Sequence, residues 1–330
     1  MTNLSPEAIW QMTDEQLLEL LSKGTWLSKN RKIRFYAPSF MHYKTVHYCS
    51  STKDFPTISV TGSGCSLKCK HCGGTVLNTM YPATTPEELF RLCSELKQKG
   101  ALGCLISGGC LPDGSVPLGR FIEAIGKIKR ELGLKIFVHT GIIDAQTAQN
   151  LQEAGVDSAL IDVIGSDETI RDIYKLDITV RDYAASLNAL NAAGIAFVPH
   201  VIVGLHYGQL KGEFDALKMV SKYKPSALVI IAFMPIHGTE MENTKPPTPV
   251  DIAKVMVTAR AMFPQTPLVL GCMRPKGKHR SETDILAIKA GADAIAYPTE
   301  EAVRFAKDQG KQFSFSPICC SQIYMDISSN

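Results

Sequence analysis

Between residues 57 and 297, short apolar runs rich in β-forming side chains alternate with amphipathic stretches of helical length. The runs fall at 57–61, 104–107, 136–139, 159–163, 197–204, 228–233, 268–271 and 294–297. Stretches such as 87–99, 118–132, 145–154 and 183–193 lie between them, with apolar residues at helical spacing. Thr85, Pro86 and Glu88 combine an N-cap, an N1 proline and a capping-box acid at one helix start. Gly100, Gly133, Gly155, Gly194 and Gly291 each stand between a helical stretch and the next run, where a left-handed C′ residue is wanted. Eight strands alternating with helices predict a parallel (β/α)8 barrel of the TIM type. A doubly wound open sheet is the alternative, because a strand count does not show closure.

The flanks read differently. Thr13 and Gln16 have capping-box spacing ahead of Leu17, Leu18, Leu20 and Leu21, and Gly24 supplies a stop. An aromatic and basic stretch from Arg31 to Tyr48 follows, with no clear period. The expected division is an N-terminal helical or irregular extension (1–55), the β/α barrel (56–300), and a C-terminal tail (301–330) over the barrel mouth.

Of the 330 residues 45% are hydrophobic and 20% charged, which excludes wholesale disorder. A formal charge of +3 is too balanced for nucleic acid or an anionic membrane surface to be the main partner. No apolar run approaches the roughly 20 residues of a membrane span. Residues 1–7 carry no basic n-region leading into an apolar stretch, so a cytoplasmic protein is expected. In a reducing compartment ten cysteines do not suggest a disulfide framework.

Three of them crowd into eight residues just after the first run, as Gly-Ser-Gly-Cys65-Ser-Leu-Lys-Cys69-Lys-His71-Cys72-Gly-Gly. The spacing C-x3-C-x2-C on a glycine-bounded loop lets three thiolates hold three corners of a cubane iron–sulfur cluster, leaving one iron open to a small-molecule chelate. Structural zinc wants four closed ligands, usually in C-x2-C pairs, and no second pair is nearby. His71 as a fourth ligand would be strained by its neighbour Cys72.

This loop, placed after the first strand of a β/α barrel, resembles that of the radical S-adenosylmethionine (radical SAM) superfamily. The resemblance implies a 4Fe–4S cluster on Cys65, Cys69 and Cys72 whose open iron binds S-adenosylmethionine. Reductive cleavage then gives a 5′-deoxyadenosyl radical that abstracts a substrate hydrogen. It further implies that Ser107, Gly108 and Gly109 form the turn receiving the methionyl amine, with Cys110 in place of a common acid. The stretch from His200 to Gly204 is similar to the element lining the adenine, with Ile202 and Gly204 as contacts and Tyr207 at the usual glutamate position. Asp162 and Ser166 are placed to meet the ribose or the methionyl carboxylate.

The order Gly204-Leu205, Pro235-Ile236-His237-Gly238-Thr239 and Arg274 resembles the biotin synthase-like branch. Biotin synthase proper is disfavoured, since a cysteine it needs on the fifth strand falls at Val198. The segments 35–40, 104–115 and 271–280 resemble one component, the second more than the first, of the two-protein lipoyl synthases. That implies sulfur insertion into an octanoyl chain, with a second radical SAM subunit, an octanoylated carrier protein or peptide, and an electron donor such as ferredoxin or flavodoxin. A second, auxiliary Fe–S cluster would draw on Cys49, Cys272, Cys319, Cys320 and Arg274. Adjacent cysteines in extended chain point opposite ways, so Cys319 and Cys320 are not expected on one cluster. Cys93 and Cys104 read as ordinary core. His139 and His200 fall on strands, where a buried hydrogen-bonded histidine is the ordinary outcome. The run Lys276, Lys278, His279 and Arg280 is either solvated or a contact for an acidic carrier. The remaining readings are another biotin synthase-like enzyme, a maturase or methyl-transferring relative, and a zinc-binding scaffold.

Overall fold

A computed structural model describes residues 4–24, 32–51 and 53–328. Arg31, where the aromatic and basic stretch begins, lies outside the described residues. Eleven parallel strands form one sheet: β1 (Lys32–Tyr36), β2 (Thr57–Ser59), β3 (Tyr81–Pro82), β4 (Gly103–Ser107), β5 (Lys135–His139), β6 (Ser158–Asp162), β7 (Phe197–Val203), β8 (Leu228–Ala232), β9 (Leu268–Leu270), β10 (Ala294–Ala296) and β11 (Gln312–Ser316). Their order is β11-β1-β10-β9-β8-β7-β6-β5-β4-β2-β3.

All eight expected strands are present and neighbour one another in chain order, but β10 does not return to β2. It pairs with β1, Arg34 opposite Ala294 and Tyr36 opposite Ala296, and β11 pairs with the far side of β1. The sheet therefore has two edges, β11 and β3, and a closed eight-stranded barrel is not formed by hydrogen bonding among the described residues. The expected division also shifts, because the sheet takes one strand from the N-terminal segment and one from the C-terminal segment.

The sheet is nevertheless strongly curled. The helix Ile323–Ser328 touches both β1 and the start of β6. Arg34 donates to the Asp326 carbonyl at 2.7 Å, Tyr36 donates to the Asp326 carboxylate at 2.6 Å, and the Tyr324 hydroxyl donates to the Asp157 carbonyl at 2.7 Å. In a flat sheet β1 and β6 would stand about 24 Å apart, five spacings of about 4.8 Å. A six-residue helix is only about 9 Å long.

Alternation along the strands divides the buried residues into two cores. Ile136, Val138, Ala159, Ile161, Leu228 and Ile230 face the surrounding helices. Phe137, Leu160, Val198, Val229, Val269 and Ala296 face the concave interior. Both faces are covered, as a parallel sheet requires. The helices are capped where the sequence marks them. Thr85 accepts from the Glu88 amide and Glu88 returns the bond at the start of Pro86–Gln98, and Thr13 and Gln16 do the same ahead of Asp14–Ser22.

The C-terminal tail does not lie over the mouth. From the end of β11 it runs down through the concave interior, with Ile318, Cys319, Cys320 and Ile323 buried against the inward residues. Lys135, at the start of β5, donates to Gln322 at 3.1 Å. An apolar tail of this kind gains more by filling the open seam of the sheet than by crossing a solvated rim.

Candidate functional site

The cysteine loop leaves the C-terminal end of β2 and is fastened on three sides. The Ser66 amide donates to the Cys110 carbonyl at 2.9 Å, and the Lys70 amide to the Ile173 carbonyl at 2.9 Å. The Gly109 amide donates to the Thr61 hydroxyl at 2.7 Å, which in turn donates to the Gly64 carbonyl at 2.8 Å. A Cβ on Gly109 would stand 2.0 Å from the Gly64 carbonyl oxygen and 2.6 Å from the Cys65 Cα. Only glycine lets the turn after β4 lie this close to the loop. Lys68 takes the left-handed φ of +45°, a conformation that a non-glycine residue adopts only where its surroundings impose it.

Cys65, Cys69 and Cys72 border one cavity of about 230 Å³. Its other walls include Ser107, Gly108, Gly109, Cys110, His139, Asp162 and Tyr174. The donor atoms of Cys69, His71 and Cys72 lie within 4.8 Å of one another, with Cys65 outside that group. The neighbouring Cys69 thiol, and then His71 beside it, pull the Cys72 thiol below its ordinary range. Burial, then the neighbouring Cys65, push Cys110 up to about 12. His71 Nδ1 and the Tyr174 hydroxyl are buried without a hydrogen-bond partner among the described residues. Three sulfur donors, a glycine turn against them and unsatisfied polar atoms on the same cavity fit an iron–sulfur cluster with a polar small-molecule ligand.

Of the other residues singled out in the sequence, Ser107, Gly108, Gly109 and Asp162 reach this cavity, whereas Ser166, Ile202 and Gly204 do not line it. Ser166 caps the short helix Asp167–Thr169, accepting from the Thr169 amide at 3.3 Å. Ile202 borders a narrow crevice beside it with Val163, Ile164 and Glu213. The Gly204 amide donates to Glu213 at 2.8 Å. The glutamate expected near Tyr207 thus comes from six residues further on, beyond the reach of a motif read at fixed spacing.

Cys319 and Cys320 are buried in the inner core of the sheet, and Cys272 is half-buried against the same core. Burial first, then Cys319, raise Cys272 to about 11, and the neighbouring Cys320 thiol lowers Cys319. The adjacent pair does not diverge as extended chain would, because Cys320 opens the 3-10 turn Cys320–Gln322. Cys49 is exposed on the N-terminal segment and does not join them. Arg274 is fully buried, bonded to Asp284 at 2.8 Å, to the Gly271 carbonyl at 2.5 Å and to the Tyr297 carbonyl at 3.3 Å, so its guanidinium is committed to structure. Arg280 is the arginine beside Cys272: it donates to the Cys272 carbonyl at 3.1 Å and leaves Nε buried without a partner among the described residues. The basic run is therefore split. Lys278 is exposed, His279 is bonded to the Pro247 carbonyl at 2.8 Å and Arg280 turns inward.

The profile of the Radical SAM superfamily matches residues 59–212, the segment holding the cysteine loop and the cavity walls. Over this segment, just under half of the chain, the sequence is similar to the radical SAM superfamily. It is 28% identical over 252 residues to a biotin synthase of Prochlorococcus marinus, with 73% of each chain covered. It is 27% identical over 215 residues to a biotin synthase of Leptospira biflexa, covering 64% of this chain and 60% of that one. Among solved structures it resembles the FeFe-hydrogenase maturase HydG (TM-score 0.66, 17% identity, covering 98% of this chain and 74% of that one). It also resembles methylornithine synthase PylB (TM-score 0.64, 18% identity, 99% and 96% covered). These two likenesses show the fold. A radical SAM enzyme uses a 4Fe–4S cluster and S-adenosylmethionine, the two cofactors the cavity fits. No helix among the described residues is long and apolar enough to cross a membrane.

Proposed function

We propose that this enzyme inserts sulfur into the octanoyl chain of a carrier, as one component of a two-protein lipoyl synthase. The observation that carries the reading is a second group of thiols, Cys272, Cys319 and Cys320, gathered in the interior of the same sheet as the cysteine loop. Cys65, Cys69 and Cys72 would hold the 4Fe–4S cluster, and the inner thiols an auxiliary Fe–S cluster. When bound, the first cluster and S-adenosylmethionine supply the one-electron cleavage that starts hydrogen abstraction.

The chain's own residues prepare that site. The turn at Ser107–Gly109 presents backbone at a close approach that only glycine allows, and Asp162 brings a carboxylate to the same cavity. Leu67, Val76, Leu77 and Met80 give it an apolar wall that excludes water from a reactive carbon. Asp162 is held ionised by His139 against the cost of its burial. A second radical SAM subunit, an octanoylated carrier and a small reducing protein are the partners this reading requires.

Anaerobic reconstitution should load about eight irons per chain, falling to about four when Cys272, Cys319 and Cys320 are replaced by alanine. Incubation with an octanoylated peptide, a reductant and the partner subunit should give a sulfur-containing peptide by mass spectrometry. Cofactor cleavage with no sulfur in the product would favour a maturase-like or methyl-transferring relative instead.

A further inference from the structure

Three neighbouring strands repeat one pattern. Phe137, Leu160 and Val198 point into the concave interior, and two residues later on β5, β6 and β7 stand His139, Asp162 and His200. With a side-chain period of two, all three polar groups point to the same face as those inward residues. Asp162 is the register partner of His200, and His139 that of Leu160. One donor atom from each of the three falls within 4.8 Å of the others, His139 Nε2 lying 3.4 Å from Asp162.

We propose that His139, Asp162 and His200 form a mononuclear site for a first-row divalent cation, opening onto the cavity of the cysteine loop. Two imidazoles and one carboxylate are the donor set of zinc and non-haem iron(II) sites that keep coordination positions open for a substrate. His139 and Asp162 line the cavity, so the open side faces whatever occupies it. His200 is prepared as a ligand. Its Nδ1 is 3.1 Å from the Val198 carbonyl, which selects the tautomer with the proton there and frees Nε2 for a metal. Paired imidazoles favour a transition-metal ion over magnesium or calcium. An oxygen-bearing substrate group, a carbonyl or carboxylate, is what such an ion would bind. The site needs neither the auxiliary cluster nor sulfur chemistry, so it stands or falls apart from the function proposed above.

Cobalt(II) tests it in the full chain carrying alanine at Cys65, Cys69 and Cys72, so that the loop cannot compete. One equivalent should bind, with visible d–d bands and without the intense near-ultraviolet charge transfer of a thiolate ligand. His200→Gln should weaken binding at least about tenfold while leaving the melting temperature of the metal-free chain near that of the parent. Cys319→Ala, which alters only the thiol next to His139, should leave the bands in place. Failure to bind one equivalent, bands that persist in the His139→Ala, His200→Gln double variant, or a thiolate charge transfer lost with Cys319→Ala would each overturn the proposal. In the last case the ion sits on the inner thiols instead.

Discussion

Glu213 is a single buried carboxyl that carries a backbone turn. It accepts the Gly204 amide at 2.8 Å, and its second oxygen has no partner among the described residues. Burial raises its pKa from the ordinary 4.5 to about 7, outweighing the Gly204 hydrogen bond that favours the anion. Between these two values the folded chain holds the proton more tightly than the unfolded chain. Stability is therefore highest below pH 4.5 as far as this group is concerned, and is lost as pH rises through 7. The loss has an upper bound of roughly 3 kcal/mol. Glu213→Gln keeps the acceptor for Gly204 and removes the titration. Its melting temperature relative to wild type should rise between pH 5 and pH 8, and a constant difference across that range would contradict this account. None of this is legible in the sequence, because the bond joins residues across an irregular turn. The cysteine loop is legible because its meaning lies in short spacing.

At the scale of elements, the segment after β9 is organised by one ion pair. Arg274 and Asp284 are both wholly buried, 2.8 Å apart, and Asp284 also accepts the Thr299 amide at 2.9 Å. The pair ties β9, the helix Lys278–Lys289 and the turn after β10 into one unit, and it fixes the chain that carries Cys272. Arg274→Met leaves a buried carboxylate uncompensated and should cost about 3–5 kcal/mol. Adding Asp284→Leu should recover much of the lost melting temperature, since the penalty comes from the orphaned charge. Equal stabilities of the single and double variants would show that packing of the arginine stem dominates. The motif order in the sequence marks Arg274 as a cluster ligand, and a lone arginine carries no sign of the aspartate ten residues away. The eight longer strands between residues 57 and 297 are readable, by contrast, because each is an apolar run of its own, whereas the two-residue β3 is not. β1 is not, because five residues alternating charge with apolar side chains, Lys32-Ile33-Arg34-Phe35-Tyr36, make too short a signal.

For the molecule as a whole, the open seam and the C-terminal tail are one problem and its solution. A sheet curled this far but ending at β11 and β3 leaves Phe137, Leu160, Val198, Val229 and Val269 facing an interior that the strands alone do not fill. The tail fills it with Ile318, Cys319, Cys320 and Ile323 and is then locked at the lower end by Arg34, Tyr36 and Lys135. Burying each aliphatic side chain is worth about 1.5–3 kcal/mol, so Ile318 and Ile323 together contribute roughly 3–6 kcal/mol before the lining residues are counted. Deleting the chain after Ser316 should lower the melting temperature sharply and create a binding site for an apolar fluorescent dye. Ile323→Ala alone should cost about 2–5 kcal/mol while leaving the inner thiols in place. A truncated chain that melts with the full one and binds no dye would mean that the sheet closes over the gap without its tail.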